Sequence, residues 1–455
     1  MDISGIYKED TGSLIQTKRH LDHISRDNED RNGLSDFNRM LDADDIKFFN
    51  NVVELTCKSK ENNDWSNLKS SLMIGYVRAL TAEHFYLIVN AAYSNIDCND
   101  QLFQTICDVF ELILKLSSYK PSIEQSEHLI LSFITRIETN HGLQRLPTLL
   151  SIIFSLCVHL SHFDIHNQRQ VFDTIIGLSY TLSSNPTINP SCFLSVLRLI
   201  IKNSCFMSEE EFDSSQKVFI RYLSSSNWDV CNNSILGLLL IAQVYPKLNV
   251  NLLQTKKIQH LIMVVPLESI SVCKALADLL SVLINSENDE HYLKGYDIVG
   301  RYLPLLRSDF EVIGLSYIKC LGELSKYSSF VISKIIQHRI FNELDPSILS
   351  FSTKENVIIL MDSLFTKGVH LSDLGLTPLY LYALVKDMEF SNCAIQVLRI
   401  MKALLYEGIN ISDIINIEDL LFSEIPEISM LAHEIQSYLT PELISPFSIA
   451  NINST

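Results

Sequence analysis

The sequence predicts an all-α fold, a solenoid of about nine or ten imperfect helical repeats of ~40 residues each. The first observation is the regular spacing of long apolar stretches. Their centres are separated by 43, 41, 39, 40, 45, 39 and 40 residues. The centres are Ile113, Leu156, Leu197, Leu236, Leu276, Leu321, Leu360 and Ile400. A period in this range is typical of helix pairs, each of which buries its apolar face against its neighbours.

The second observation is a shortage of residues that form turns. The 455 residues include only 14 Gly and 12 Pro, fewer than an all-β protein of this size would need. Hydrophobic residues make up 47% of the chain and charged residues 20%, so most of the chain can bury a core. Together these values favour stacked helices.

Three regions are predicted from changes in composition. Residues 1–43 are polar, mixed in charge and without a sustained apolar period, which predicts a flexible arm. Residues 44–440 carry the repeats. Residues 441–455 hold two prolines and a polar end, which predicts a short, frayed tail.

The helices follow from periodicity and from their breaks. Asp44 and Asp45 offer an acidic start for a first helix, in which apolar residues recur from Ile46 to Leu55. Ser208 and Glu211 have the spacing of a capping box. Prolines mark further breaks at 121, 186, 190, 246, 346 and 378, because the residue before a proline is biased away from helix. Later helices are predicted over 67–93, 99–118, 122–139, 147–162, 166–183, 190–206, 208–224, 228–245, 255–264, 267–286, 289–305, 308–327, 329–342, 353–367, 377–386, 389–406, 410–422 and 426–439.

Residues 308–344 resemble an armadillo or HEAT-like repeat unit. They combine an acidic start, the small residues Gly314 and Gly322 inside an apolar helix, and a Leu-x-x-Leu-Ser ending. Residues 227–263 look similar, and residues 389–422 form a weaker copy. The resemblance covers most of residues 60–440. It implies a right-handed superhelix, the armadillo/HEAT-like fold class, that binds a protein along its concave face without catalysis. HEAT and armadillo units are not separated by these residues.

One armadillo subfamily, the nuclear import adaptors, carries a ladder of Trp and Asn on its third helices. This chain has two tryptophans, Trp65 and Trp228. Asn232 follows Trp228 by four residues, but the pair falls at the predicted start of a helix and not near its end. A nuclear transport adaptor therefore stays open only as an alternative, beside a regulatory subunit of an enzyme complex.

The formal net charge of −17 argues against duplex nucleic acid and anionic membranes as partners, and it permits a basic protein partner. The longest apolar run, residues 235–242, is too short for membrane insertion. The ten cysteines form no CxxC pair, and residues 1–10 show no secretory signal. A protein of the cytoplasm or nucleus is expected.

No motif indicates catalysis, a metal or a cofactor. His159, His162 and His166 have helical spacing, yet residues 161–164 read as a break between helices, which favours solvated histidines over a zinc site. Residues 295–301 mimic the spacing of a phosphate loop, but Arg301 stands in place of its Lys and no strand precedes it. The sequence therefore predicts no enzyme, no metal site and no cofactor.

The function that the pattern predicts is a protein–protein interaction scaffold or adaptor. In solenoids of this type, polar and aromatic residues near the ends of the inner helices contact the partner. Tyr and Arg suit this role because they bury large areas and still form hydrogen bonds. The candidate partner-binding residues are Tyr245, Glu323, Lys326, Tyr327, Arg399, Lys402 and Tyr406.

Overall fold

A computed structural model shows helices throughout the part of the chain that it describes, and no strand occurs there. That part comprises residues 41–59, 61–95, 99–116, 121–138, 146–184, 190–203, 207–249, 252, 254–284, 291–292, 296–307, 311–386, 388, 392–406, 408 and 417–439. The chain divides into two compact units. One runs to Leu178 and includes Asn203, and the other comprises Ser179–Lys202 and the residues from Met207 onward.

The first helices begin at residues whose side chains satisfy free backbone N–H groups. Asp42 accepts hydrogen bonds from Asp44 N and Asp45 N, and Thr81 accepts one from His84 N. The first seven helices are α1 (Ala43–Lys58), α2 (Asn62–Met73), α3 (Ala82–Ser94), α4 (Asp100–Leu116), α5 (Ile123–Glu138), α6 (Leu146–Leu156) and α7 (Ile165–Ser184).

The single helix predicted over 67–93 is wrong. The structure ends α2 at Met73, forms a 3-10 turn over Tyr76–Ala79 and restarts at α3. Gly75 takes φ +106°, a left-handed conformation that favours glycine and stops a helix. The helix predicted over 147–162 also divides, since α6 gives way to a 3-10 segment at Cys157–His162.

The later helices are mostly short and are separated by 3-10 turns and capped loops. The capping box predicted at Ser208 and Glu211 is present, with Ser208 accepting from Glu211 N. These helices are α8 (Ser191–Asn203), α9 (Glu209–Tyr222), α10 (Trp228–Val244), α11 (Lys256–Val264), α12 (Ile270–Leu283), α13 (Ile298–Tyr302), α14 (Glu311–Tyr327), α15 (Ser329–His338), α16 (Phe351–Thr366), α17 (Leu371–Leu374), α18 (Pro378–Val385), α19 (Ala394–Tyr406) and α20 (Pro426–Leu439).

In the second unit, one helix of each repeat packs on the corresponding helix of the next repeat. The order of contact is α10, α12, α14, α16, α19 and α20. Their cores are apolar, with Leu321, Leu360 and Ile400 all fully buried. A Cβ on Gly322 would lie 3.7 Å from Leu360 Cα, at ordinary van der Waals distance, so Gly322 lies in the contact between α14 and α16. In the first unit, α2, α4 and α6 make the equivalent row, and α1, α3 and α5 make a second.

Polar contacts between helices repeat the same period. Lys69 pairs with Asp108, and Ser195 Oγ donates to Asn233 Oδ1, at separations of 39 and 38 residues. Tyr302 donates to Ile262 O and Arg301 to Val265 O, at separations of 40 and 36. Each contact therefore joins neighbouring repeats, as a stack of ~40-residue units requires.

The all-α class and the helical-repeat solenoid architecture are confirmed. The predicted arm and the predicted tail lie outside the described residues, apart from residues 41–43, so the three-region division stays a prediction. Within the described residues, no helix combines the length and the apolar character needed to cross a membrane.

Candidate partner-binding surface

Three of the candidate residues lie together on α19 and face α20. Arg399 Nη2 is 2.7 Å from Glu427 Oε1, and Lys402 Nζ is 2.6 Å from Glu434 Oε1. The hydroxyls of Tyr406 and Tyr438 are 3.0 Å apart, and their rings meet edge to face at 5.6 Å. Positions 399, 402 and 406 share one face of α19, because residues three, four and seven apart align on a helix.

These contacts change the protonation behaviour of two groups. The hydrogen bond to Glu434, with the charge of that carboxylate, raises the pKa of Lys402 above its usual value despite some burial. The hydrogen bond with Tyr406 raises the pKa of the Tyr438 phenol. Both groups therefore keep their protons at neutral pH, and Lys402 is positively charged.

The residue that joins α19 to the preceding helices is Asp362 on α16, which the sequence did not single out. Its side chain is only 13% exposed, and Oδ2 lies 3.5 Å from Arg399 Nη1. Burial raises the pKa of the Asp362 carboxyl, and the positive charges of Arg399 and Lys326 partly offset that effect. Asp362 thus lies within the electrostatic reach of candidates on α19 and on α14.

On α14 the candidates are paired with each other. Lys326 Nζ lies 2.7 and 2.8 Å from the two carboxylate oxygens of Glu323. Tyr327, the last residue of α14, is half-buried. The charge of Lys326 acts on the carboxyl of Asp362, so the ion pair of α14 lies near the charged groups of α16 and α19. We call the whole set the charged row: Glu323, Lys326, Asp362, Arg399, Lys402, Tyr406, Glu427, Glu434 and Tyr438.

Tyr245 does not belong to the charged row. It caps the end of α10, stacks on Phe212 with ring centroids 5.3 Å apart, and donates a hydrogen bond of 2.7 Å to Glu209 Oε2. This hydrogen bond is the main reason that the pKa of the Tyr245 phenol is raised, and desolvation and the charge of Glu209 add to the effect. Tyr245 therefore ties α10 to α9.

The remaining motifs from the sequence lie within helices, in a 3-10 segment or in helix contacts. Trp228 is the first residue of α10, so the Trp228–Asn232 pair does lie at a helix start. A Cβ on Gly300 would lie 2.6 Å from His338 Nε2, so this glycine allows helix packing and is not part of a phosphate loop. His159 and His162 lie in a 3-10 segment and His166 in α7. Among the described residues, no group of three or more His, Cys, Asp or Glu could hold a metal ion.

A comparison with known proteins shows the fold and no family. No family model matches the sequence, and no curated protein matches it in sequence. An engineered protein solved by the Northeast Structural Genomics Consortium has a TM-score of 0.62 at 13% identity, over 85% of this chain and 98% of its own.

Crystal structures of Kap121p are more distant. Kap121p alone gives a TM-score of 0.37 at 14% identity, over 86% of this chain and 45% of its own. Kap121p bound to Nup53p gives 0.28 at 14% identity, over 82% and 47%. The chain spans less than half the length of Kap121p, and at these scores the similarity adds nothing beyond the helical fold.

Proposed function

We propose that this chain is a non-catalytic scaffold or adaptor, and that a protein or peptide partner binds along the charged row. The observation that carries the proposal is the continuity of the row. It crosses α14, α16, α19 and α20, which contact one another in that order, and it ends in two exposed tyrosines. An extended peptide needs such a surface, on which similar groups recur from repeat to repeat.

The internal pairing of the row is compatible with binding. Arg399, Glu427 and Glu434 have side chains 46%, 45% and 36% exposed, and exposed ion pairs contribute only about 0–1 kcal/mol. A partner that offers its own charges can therefore replace these pairs at low cost. Tyr406, 63% exposed, provides an aromatic surface that can pack and still form a hydrogen bond.

The net charge of −17 supports a partner with basic side chains, because complementary charge speeds association and fixes register. The buried thiols accord with a reducing compartment, so we assign the function to the cytosol or nucleus. A nuclear transport adaptor and a regulatory subunit remain the alternative forms of the same proposal, since either would use a protein-binding surface.

Binding along the row is tested by affinity purification of the intact chain, followed by quantitative mass spectrometry. Lys402→Ala and Tyr406→Ala should each reduce recovery of the partner about tenfold. The matched controls are Lys217→Ala, where the lysine is 71% exposed, and Tyr86→Ala, where the tyrosine is 44% exposed. Both control variants should recover the partner as the unaltered chain does.

Two results would contradict the proposal. One is the reproducible recovery of no protein by the unaltered chain. The other is equal loss of the partner in the row variants and in the controls, which would place the interface elsewhere. Helix content measured by circular dichroism should be the same in all four variants, because every substituted side chain lies at the surface.

A further inference from the structure

The segment Ile417–Leu439 is acidic. It contains Glu418, Asp419, Glu424, Glu427 and Glu434 and no Lys or Arg. Arg399 and Lys402 pair with Glu427 and Glu434. Glu418 and Glu424 are exposed, and neither forms an ion pair within the described residues. Negative charge therefore remains unneutralised at the turn that leads into α20.

Apolar side chains are exposed beside this charge. Phe422 is 87% exposed, Met430 62% and Ile425 51%. Ser429 Oγ donates to Leu421 O at 2.7 Å, which holds the turn against α20. The neighbours of these two residues, Phe422 and Met430, are thereby kept at the same end of the helix. One exposed apolar residue is ordinary, but here three occur within residues 422–430.

We propose that this C-terminal patch, formed by Phe422, Ile425 and Met430 with Glu418 and Glu424, docks a basic amphipathic helix of a partner protein. Such a helix places its apolar stripe against apolar side chains and its Lys or Arg residues beside the carboxylates. Methionine suits this contact because its flexible thioether adapts to the side chains that it meets. None of the five residues is a member of the charged row. Phe422, Ile425, Glu418 and Glu424 precede α20, so their variants test this surface apart from the row.

Charge disfavours the other two occupants. Residues 440–455 include Glu442 and no Lys or Arg, so they offer the patch no complementary charge. A second copy would bring the same acidic segment on a chain of net charge −17. Like charges placed together across an interface oppose binding. A basic partner helix is the occupant that complements both the apolar and the acidic side chains.

The probe is a fluorescein-labelled peptide of about 18 residues, with Leu on one helical face and Lys on the other. Its binding to the full chain is followed by fluorescence anisotropy. Phe422→Ser with Met430→Ser should raise Kd at least about tenfold. The matched controls Ile348→Ser and Leu379→Ser, where the side chains are 81% and 74% exposed, should leave Kd within about twofold.

A second set of variants tests the contribution of charge to binding. Glu418→Gln with Glu424→Gln should raise Kd several-fold and reduce its dependence on salt, because exposed charges are screened. Glu210→Gln, an exposed glutamate on α9, is the control and should change neither. A peptide with Glu in place of every Lys should bind at least about tenfold more weakly than the Lys peptide.

Several outcomes would overturn the proposal. These are an absence of binding by the Lys peptide, equal binding by the Glu peptide, or equal losses in the patch variants and their controls. Tighter binding after Ile444→Ser with Phe447→Ser would make residues 440–455 the occupant. A dimer in sedimentation experiments that Phe422→Ser dissociates would make a second copy the occupant. Circular dichroism shows whether each variant folds, and Phe422→Ser alone is used if the double variant does not fold.

Discussion

The hydroxyl oxygens of Ser325 and Ser363 lie 2.8 Å apart in the buried contact between α14 and α16. The two residues are 38 positions apart, one repeat of the chain. Ser325 Oγ also donates to Gly322 O at 2.9 Å. A small polar pair thus lies inside the otherwise apolar contact of the two helices.

Loss of this pair should be measurably destabilising. Ser363→Ala should reduce the free energy of unfolding by about 1 kcal/mol, because the Ser325 hydroxyl loses one of its two buried contacts. The double variant with Ser325→Ala should cost less than the sum of the single changes, since the same contact is removed twice. Urea unfolding of the four proteins measures the difference, and strict additivity would show that the serines do not interact.

Gly237 and Gly177 should respond in opposite directions to alanine. A Cβ on Gly237 would overlap the Phe219 ring between α10 and α9, so Gly237→Ala should destabilise by about 1–3 kcal/mol. Gly177 is exposed within α7 and has no heavy atom within 4 Å of the added Cβ. Gly177→Ala should stabilise by about 0.5–1 kcal/mol. Thermal unfolding followed by circular dichroism tests both, and a stabilising Gly237→Ala would contradict the packing.

The contribution of Arg399 to stability should come mainly from its contact with Asp362. Arg399→Ala should destabilise by about 1–3 kcal/mol at neutral pH, because it leaves a largely buried carboxylate without its nearest cation. In a protein that already carries Asp362→Asn, Arg399→Ala should lower the free energy of unfolding by less than about 0.5 kcal/mol, since no buried charge remains. If Arg399→Ala lowered the free energy of unfolding equally in the two backgrounds, Asp362 would not be the cause of the destabilisation.

The destabilisation caused by Arg399→Ala should also decrease as the pH is lowered. Burial raises the pKa of Asp362 in the folded protein, and removal of Arg399 raises it further. Protonation then relieves the penalty on the charged form, so stability lost at neutral pH is regained toward acid. Urea midpoints at several pH values test the sign, and a cost that grows toward acid would contradict it.

Asp297 should show the opposite dependence on pH. Burial favours a higher pKa, but hydrogen bonds from Gly300 N and His338, with the charges of His338 and Lys334, hold the Asp297 pKa below its ordinary 3.8. Its charged form therefore stabilises the fold above pH ~4, and this stabilisation is lost as the pH falls through the lowered pKa.

The substitution that tests this sign is Asp297→Asn, which keeps a capping oxygen and removes the charge. It should destabilise by less than about 1 kcal/mol at pH 7, because the carboxylate is partly exposed to solvent. The difference from the unaltered chain should begin to shrink below pH ~4 and vanish once the pH is below the lowered pKa of Asp297. Urea midpoints at pH 7 and at acid pH provide the measurement. A difference that persists in acid would show that the charge is not its source.

The repeat architecture could be predicted because its signal is local. Apolar spacing and capping residues predicted α20 over 426–439 and the start of α9 at Ser208, as the structure has them. The division at Gly75 was missed because the residues on both sides continue a helical apolar pattern. The left-handed backbone of that glycine, which no spacing reveals, ends α2, and a 3-10 turn and the Thr81 cap precede α3.

The charged row could be predicted only in part. Arg399, Lys402 and Tyr406 share a face of one helix, and that alignment follows from their spacing. Their partners Glu427, Glu434 and Tyr438 lie on the next helix, and a single-helix pattern does not pair them. Asp362 was missed because it is surrounded by Leu360, Met361, Ser363 and Leu364 and reads as a solvent-facing break in an apolar stretch.

The one-repeat separation of polar contacts has a consequence for how the chain folds. Tyr76 reaches back 31 residues to Asp45, and Asn203 reaches back 46 residues to Cys157, the widest polar link among the described helices. Loops this short close quickly and at modest entropic cost, and local contacts are associated with rapid folding. Each repeat can therefore assemble on its predecessor while the chain is still being synthesised, because none of these links waits for a distant part of the sequence.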